Sequence, residues 1–139
     1  MLTSVTSLVA VLAWAGNGVF RSSDAEEDIW EPWSVERVSS LQEEGMPVFI
    51  DFTAEWCLNC KYNETQVLSR SRVRQALEGF ATLKADMTRK DPEIAAEIKR
   101  LGRVGVPVYV VVSPSGKVEV LPEMLTQRIV LDALERARH

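Results

Sequence analysis

From Met46 to Glu64 the chain reads MPVFIDFTAEWCLNCKYNE. The run PVFIDFT is short and almost continuously apolar, which is typical of a strand buried on both faces. Cys57 and Cys60, the only cysteines in the chain, follow this strand directly and should open a helix that ends near Leu68. Two thiols at this spacing could hold a metal ion, form a structural bridge or carry electrons.

Outward from this stretch, hydrophobic periodicity, helix caps and turn residues predict the remaining elements. They are a helix over SVERVSSLQEEG (34–45), a strand in ATLKADM (81–87), a helix over DPEIAAEIKRLG (91–102), strands in PVYVVVS (107–113) and KVEVL (117–121), and a helix over 126–138. Ser34 and Asp91 are N-cap candidates, and Gly45 ends the first of these helices. The order of elements predicts an α/β fold, with a mixed central sheet flanked by helices on both sides.

The composition predicts one globular domain and narrows the function. Of the 139 residues, 46% are hydrophobic and 26% are charged, which is ordinary for a domain with its own core. The formal net charge of −4, with no basic stripe, argues against a nucleic-acid partner. The only histidine, His139, is the last residue, so catalysis by histidine is nearly excluded.

Residues 1–20 (MLTSVTSLVAVLAWAGNGVF) contain no charged residue, whereas residues 21–33 are polar and acidic. Three interpretations of the first segment stay open: the end of a transmembrane helix, a signal-like segment, or an apolar tail. We therefore predict an apolar membrane-proximal or signal-like segment over 1–20, an acidic linker over 21–33 and the folded domain over 34–139. In each case the domain would lie beside a membrane, at its outer face.

The cysteine pair is best interpreted as a redox centre. Zinc usually needs four ligands, and this chain offers one cysteine pair and a terminal histidine, so a metal site would require a dimer. A structural disulfide that closes so short a loop removes little entropy from the unfolded chain. In a redox role, the helix N-terminus stabilises a thiolate at Cys57, and Cys60, one turn later, can attack a mixed disulfide at Cys57.

Trp56 and Pro107 are candidates for modulating the cysteines, and each has a structural alternative. Trp56 could shield the pair and contact a partner, or it could pack in the core. A cis Val106–Pro107 bond would place a backbone edge beside the cysteines, and an ordinary trans proline at a strand start is the alternative.

Asp51 and Glu64 are the other two candidates. Asp51 lies in the buried run, where an ionised carboxylate is costly unless it is paired or close to a functional group. Glu64 is four residues after Cys60 and seven after Cys57, so it shares one helical face with both. If both acids lie near Cys57, their charge opposes the formation of its thiolate. The alternatives are a satisfied structural acid for Asp51 and a solvated partner of Lys61 for Glu64.

A CxxC that opens the helix after the first buried strand of a βαβ pattern is typical of thioredoxin-like redox proteins. VFIDFTAEWCLNCKYNE, GVPVYVVVSPSGK and the spacing between them resemble thioredoxin-fold proteins over residues 34–138. Within that superfamily, DFTAEWCLNCKYNE is similar to the C-terminal periplasmic domain of the DsbD transmembrane thiol–disulfide interchange proteins, since WCxxCK is followed by a glutamate four positions beyond the second cysteine. The departure is the dipeptide Leu58-Asn59 between the cysteines, at positions that tune the reduction potential.

This resemblance implies an electron relay by dithiol–disulfide exchange, with no cofactor other than a redox-active Cys57–Cys60 disulfide. It implies that Cys57 is the nucleophile, Cys60 the resolving thiol, Pro107 a cis-proline, and Asp51 and Glu64 modulating acids. Electrons would pass from a membrane-embedded dithiol domain to thioredoxin-fold partners, including disulfide isomerase and cytochrome c maturation branches. The domain is expected to act as a monomer on the periplasmic side of the bacterial inner membrane.

Two other functions stay open. A membrane-tethered thiol reductase dedicated to apocytochrome c would use the same chemistry on a different substrate. A redox-silent binding module would share only the fold, and the presence of both cysteines disfavours it.

Overall fold

The strands of the domain form one mixed sheet, and the computed structural model describes residues 28–139. The strands are β1 (Glu31–Pro32), β2 (Val48–Thr53), β3 (Ala81–Asp86), β4 (Val108–Val112) and β5 (Val118–Val120). The helices are α1 (Val35–Glu43), α2 (Leu58–Asn63), α3 (Ser71–Leu77), α4 (Pro92–Arg100) and α5 (Gln127–Arg136), and a π-helical turn (Glu64–Leu68) continues α2. The strand order is β1-β3-β2-β4-β5, with β1, β3 and β2 parallel and with β4 antiparallel to both β2 and β5.

β2 lies at the centre of the sheet, and all six of its residues are buried, as its apolar pattern predicts. Because side chains alternate along a strand, the residues of β2 divide between two cores. Val48, Ile50 and Phe52 pack with residues of α1 and α4, whereas Phe49 packs with the π-helical turn, α3 and α5. The predicted α/β architecture, a mixed sheet with helices on both faces, is confirmed.

Side-chain caps mark the starts of α1, α4 and α5. Ser34 accepts a hydrogen bond from a backbone N–H of α1, Asp91 accepts two from α4, and Thr126 accepts one from α5. Each cap satisfies N–H groups that have no partner inside the helix. Gly45 follows α1 with φ of +70°, a left-handed conformation that glycine adopts without steric cost.

The predicted linker over 21–33 is corrected at its C-terminal end, because residues 28–33 belong to the fold. Glu31 and Pro32 pair with the edge of β3, where the missing N–H of a proline is tolerated. Trp30 packs with the core on one face of the sheet, and Trp33 packs with the core on the other. The folded domain therefore starts before residue 34. The segment predicted over 1–20 lies outside the described residues.

α3 is a second element that the predicted order lacks. It lies between the π-helical turn and β3, and its buried residues Val73 and Leu77 are four positions apart. The helix predicted to end near Leu68 does so, but its last residues widen into a π-helical turn in which the Ser69 N–H donates to the Glu64 carbonyl oxygen at 2.9 Å. Within residues 28–139 no helix is both long and apolar enough to cross a membrane.

Candidate active site

Cys57 and Cys60 form a disulfide at the N-terminus of α2, with their Cα atoms 5.3 Å apart. Cys57 is the N-cap residue, and its sulfur accepts a 3.2 Å hydrogen bond from the Cys60 N–H. Cys57 is 7% exposed and Cys60 is fully buried, so Cys57 is the more accessible of the two. A sulfur in this position faces unpaired N–H groups and the positive end of the helix dipole, which favour a thiolate after reduction.

Apolar residues surround the disulfide on its buried side. Ala54, Met87 and Val106 pack against the two cysteines. The Val106–Pro107 peptide bond is cis, in agreement with the resemblance, and Pro107 is buried directly before β4. Because Val106 contacts the cysteines, the chain that enters β4 lies beside the redox pair.

Trp56 lies on the surface next to the cysteines, with 58% of its area exposed. Its indole N–H donates a 3.4 Å hydrogen bond to the carbonyl oxygen of Thr88. Leu58, directly after Cys57, is 84% exposed. Core packing is therefore the wrong interpretation of Trp56, and Trp56 and Leu58 form an exposed apolar rim on either side of Cys57.

Asp51 is fully buried in β2, and neither of its carboxylate oxygens has a hydrogen-bond partner among residues 28–139. Lys84 on β3 and Tyr109 on β4 are its paired neighbours, and side chains at paired positions share a face of the sheet. Burial, followed by the negative charge of Glu64, raises the pKa of Asp51 from 3.8 to about 7, against the opposing positive charges of Lys84 and Lys61. Asp51 therefore gains and loses its proton near neutral pH.

Glu64 begins the π-helical turn, one helical turn beyond Cys60. Its carboxylate accepts a 2.9 Å hydrogen bond from the Thr53 hydroxyl, and it lies 3.5 Å from the Lys61 ammonium. Thr53 is two residues after Asp51, so both side chains point to the same face of β2. Glu64 therefore forms an ion pair with Lys61, as its structural alternative predicts. Its negative charge also acts on Asp51 and raises the pKa of that acid.

Asn63 and Tyr109 are buried polar residues of this region that the sequence patterns did not single out. The Asn63 amide nitrogen donates to the Tyr109 hydroxyl at 3.0 Å and to the Glu123 carbonyl oxygen at 2.9 Å, and its oxygen accepts from the Leu125 N–H at 3.1 Å. Burial raises the pKa of Tyr109, so its hydroxyl keeps its proton. Helical spacing alone indicates that Asn63 is buried, because a residue three positions after an inward-facing Cys60 lies on the same face of the helix.

The site combines a disulfide at a helix N-terminus, a buried acid that titrates near neutral pH, and an exposed apolar rim. Such an arrangement can exchange electrons with another dithiol and can take up or release a proton as it does so. No three His, Cys, Asp or Glu side chains in residues 28–139 are grouped so that they could hold a metal ion.

Comparison with curated proteins finds the same type of domain. A family model described as thioredoxin-like matches residues 29–114. The thiol:disulfide interchange protein DsbD of Klebsiella pneumoniae is 36% identical over 89 residues, which cover 58% of this chain and 15% of that protein. The protein of the same name from Ralstonia nicotianae is 35% identical over 81 residues, which cover 58% of this chain and 13% of that protein. The match thus spans only about a seventh of the length of these relatives.

Solved structures of the Neisseria meningitidis DsbD C-terminal domain share the fold over most of the described residues. The reduced form has a TM-score of 0.61 at 30% identity and covers 72% of this chain and 89% of that domain. The oxidised form has a TM-score of 0.64 at 27% identity and covers 78% of this chain and all of that domain. The family match, the fold and the position of the cysteine pair show that this chain belongs to the thioredoxin-like family. Within that family it is similar to the C-terminal domains of DsbD proteins.

Proposed function

We propose that this domain is a thiol–disulfide oxidoreductase, whose Cys57–Cys60 pair alternates between disulfide and dithiol. The main support is the disulfide at the N-terminus of α2, in which Cys57 is the more accessible cysteine. The names of the DsbD relatives, thiol:disulfide interchange proteins, support the same class of reaction.

In the reductive direction, the Cys57 thiolate attacks a disulfide of the partner, which gives a mixed disulfide and one partner thiolate that takes up a proton. The Cys60 thiol then loses its proton, and its sulfur attacks the Cys57 sulfur. This second step breaks the mixed disulfide, releases the other partner thiol and restores the Cys57–Cys60 disulfide. Two electrons have then passed to the partner, and the reverse sequence with a membrane-embedded dithiol reloads the domain.

Asp51 and Glu64 would modulate this exchange through their charge. A carboxylate near a sulfur disfavours a second negative charge, so the two acids would keep Cys57 protonated until a docking partner changes its surroundings. Asp51, whose pKa is about 7, is also suited to hold the proton that leaves a thiol during exchange.

The exposed apolar rim, Trp56 and Leu58, is suited to docking another protein around the disulfide. Val104, two residues before Val106, is also fully exposed, and Val106 packs beside the cysteines. Several large apolar side chains exposed near one reactive bond fit a contact surface. We infer thioredoxin-fold redox partners that receive electrons, and a membrane-embedded dithiol domain that supplies them. This relay would operate at the periplasmic side of the bacterial inner membrane, and Pro107 would line the contact with the partner.

Trapping a mixed disulfide tests the proposal. A reduced Cys60→Ser variant should form a stable adduct with oxidised glutathione at Cys57, detected by mass spectrometry, because no second thiol remains to resolve it. The matched Cys57→Ser variant also has one thiol, but Cys60 is fully buried and should react far more slowly. Equal adduct formation by the two variants, or none by Cys60→Ser, would contradict the proposed roles.

The same Cys60→Ser variant identifies the partner. Expressed in the periplasm, it should retain covalently bound proteins that dithiothreitol releases and that contain a CxxC of their own. Recovery of apocytochrome c as the only trapped protein would instead support the dedicated cytochrome c reductase.

A further inference from the structure

We propose that Trp30, directly before β1, is a positioning residue for the redox site: its ring holds the ammonium group of Lys84 and so keeps a positive charge beside Asp51. The inference rests on the proposed function, since it concerns the acid that is proposed to modulate the two cysteines. It also gives a role to residues whose polar, acidic sequence predicts only a linker.

Strand register brings the three residues together. Lys84 on β3 is paired with Asp51 on β2 and, at its other side, with Pro32 on β1. The Lys84 ammonium lies 5.4 Å from the centre of the Trp30 ring, within the range of a cation–π interaction. The Trp30 ring also packs on Phe49, two residues before Asp51 on the same face of β2, with ring centres 6.0 Å apart.

Hydrogen bonds to β3 hold the backbone around Trp30 at this place on the sheet. The Thr82 hydroxyl donates to the carbonyl oxygen of Ile29, on the N-terminal side of Trp30. On its C-terminal side, the Trp33 N–H donates to the Lys84 carbonyl oxygen at 2.9 Å. The backbone on both sides of Trp30 is therefore attached to β3, and the packing of its ring on Phe49 keeps the indole beside Lys84.

The charged groups around Asp51 explain why the position of Lys84 matters. Asp51 faces Glu64 of the π-helical turn, Lys61 of α2, Lys84 of β3 and the protonated Tyr109 of β4. Of the two cations, Lys84 has the larger effect on the pKa of Asp51, and it lowers that pKa.

On β3 itself, Asp86 has a charge interaction with Lys84, but hydrogen bonds from Thr88 hold the Asp86 carboxylate. The Lys84 side chain lines a cleft of about 370 Å³ together with Trp30, Glu64 and Arg74. A flexible and strongly hydrated ammonium group without its aromatic neighbour would extend into solvent, and the positive charge beside Asp51 would be lost.

Titration of the Asp51 carboxyl carbon by NMR, in the oxidised full chain, tests the proposal. Trp30→Leu keeps an apolar cover but removes the ring face, and should raise the midpoint of the Asp51 titration by on the order of 0.5 to 1 pH unit. Lys84→Met should raise it at least as much. In the Lys84→Met background, Trp30→Leu should add no further shift, because the charge that Trp30 positions is already gone.

Two aromatic variants are the controls. Trp30→Phe keeps a ring face and should retain a midpoint close to that of the unmodified protein. Trp33→Leu changes the same segment, but Trp33 packs on Phe52 at the opposite face of the sheet, with ring centres 5.8 Å apart, and should leave the midpoint unchanged.

An unshifted midpoint in Lys84→Met overturns the proposal, whether or not Trp30→Leu folds. A Trp30→Leu shift that persists in the Lys84→Met background overturns it too, because Trp30 would then act by excluding water. Since the titration uses the resting disulfide, failure of the proposed thiol exchange would be recognised separately, by the absence of the Cys57 adduct.

Discussion

The effect on stability of replacing Asp51 with asparagine in the oxidised domain should be much more favourable at pH 8 than at pH 4.5. Burial and the charge of Glu64 raise the pKa of Asp51 from 3.8 to about 7. Between these values the folded protein binds the carboxyl proton and the unfolded chain does not. The free energy of unfolding therefore falls as the pH rises from about 4 to about 7, and above this range the penalty is constant.

The size of the effect follows from the same two pKa values. For an acid with a pKa of 3.8 in the unfolded chain and about 7 in the folded protein, the penalty is about 1 kcal/mol at pH 4.5 and about 4 kcal/mol at pH 8. The variant should therefore gain about 3 kcal/mol relative to the unmodified protein over this interval. A buried asparagine amide without partners costs about 1 to 3 kcal/mol at every pH, so the change with pH is the quantity to compare.

Urea unfolding of the oxidised domain at pH 4.5, 6 and 8 measures this difference. Groups that do not interact with Asp51 titrate alike in both proteins and cancel when the two free energies of unfolding are subtracted. Asp132→Asn is the matched control, because Asp132 is an exposed acid in an ion pair of 3.7 Å with Arg128 and should change stability by less than about 0.5 kcal/mol. If Asp51→Asn changes the free energy of unfolding equally at pH 4.5 and pH 8, the pKa of Asp51 is not raised in the folded domain.

Three more outcomes are expected. In the reduced protein, limiting iodoacetamide should label Cys57 before Cys60, since Cys57 is the more accessible cysteine and lies at the helix N-terminus. Peptide mass spectrometry measures the order of labelling, and labelling of Cys60 first would contradict this prediction. Asp51→Asn and Glu64→Gln should each speed alkylation of Cys57 at pH 7, and the double variant should do so most, because a nearby negative charge disfavours the thiolate. If the alkylation rate depends on pH in the same way in all variants, both acids have only a structural role. Asn63→Ala should lower the free energy of unfolding, measured in urea, by about 2 to 4 kcal/mol, because three hydrogen bonds of a buried amide are lost. A loss below about 0.5 kcal/mol would show that these hydrogen bonds do not stabilise the fold.

The two cysteines and Glu64 could be placed from the sequence because their relation is local. Positions 57, 60 and 64 run from the N-cap of α2 to the start of the π-helical turn, and their helical spacing alone predicts that they share one face. Asp51 could be recognised as an acid in a buried strand, but the groups that set its pKa could not. Lys84 and Tyr109 reach Asp51 through the register of β3 and β4, and a shift of one residue would send either side chain to the opposite face.

Asn63 illustrates the same limit within a helix. Its inward position follows from its distance to Cys60, but an inward asparagine is costly unless partners meet it. Those partners are the hydroxyl of Tyr109 and the backbone of Glu123 and Leu125, which are 46 to 62 residues away in sequence. Only the folded chain shows that the segment after β5 comes to α2 and satisfies the amide.

The buried strand β2, the cysteine pair at the start of the following helix, and the caps at Ser34 and Asp91 can all be predicted from the sequence alone. Each of these depends on residues within about one helical turn or one strand length, so the energetic preference is local. That Glu31 and Pro32 form β1, in contrast, follows only from their pairing with β3. Two polar or cyclic residues have no strand preference of their own, but the edge of β3 offers them unpaired backbone groups. That pairing, distant in sequence, also brings Trp30 to Lys84 and so joins the predicted linker to the surroundings of the redox site.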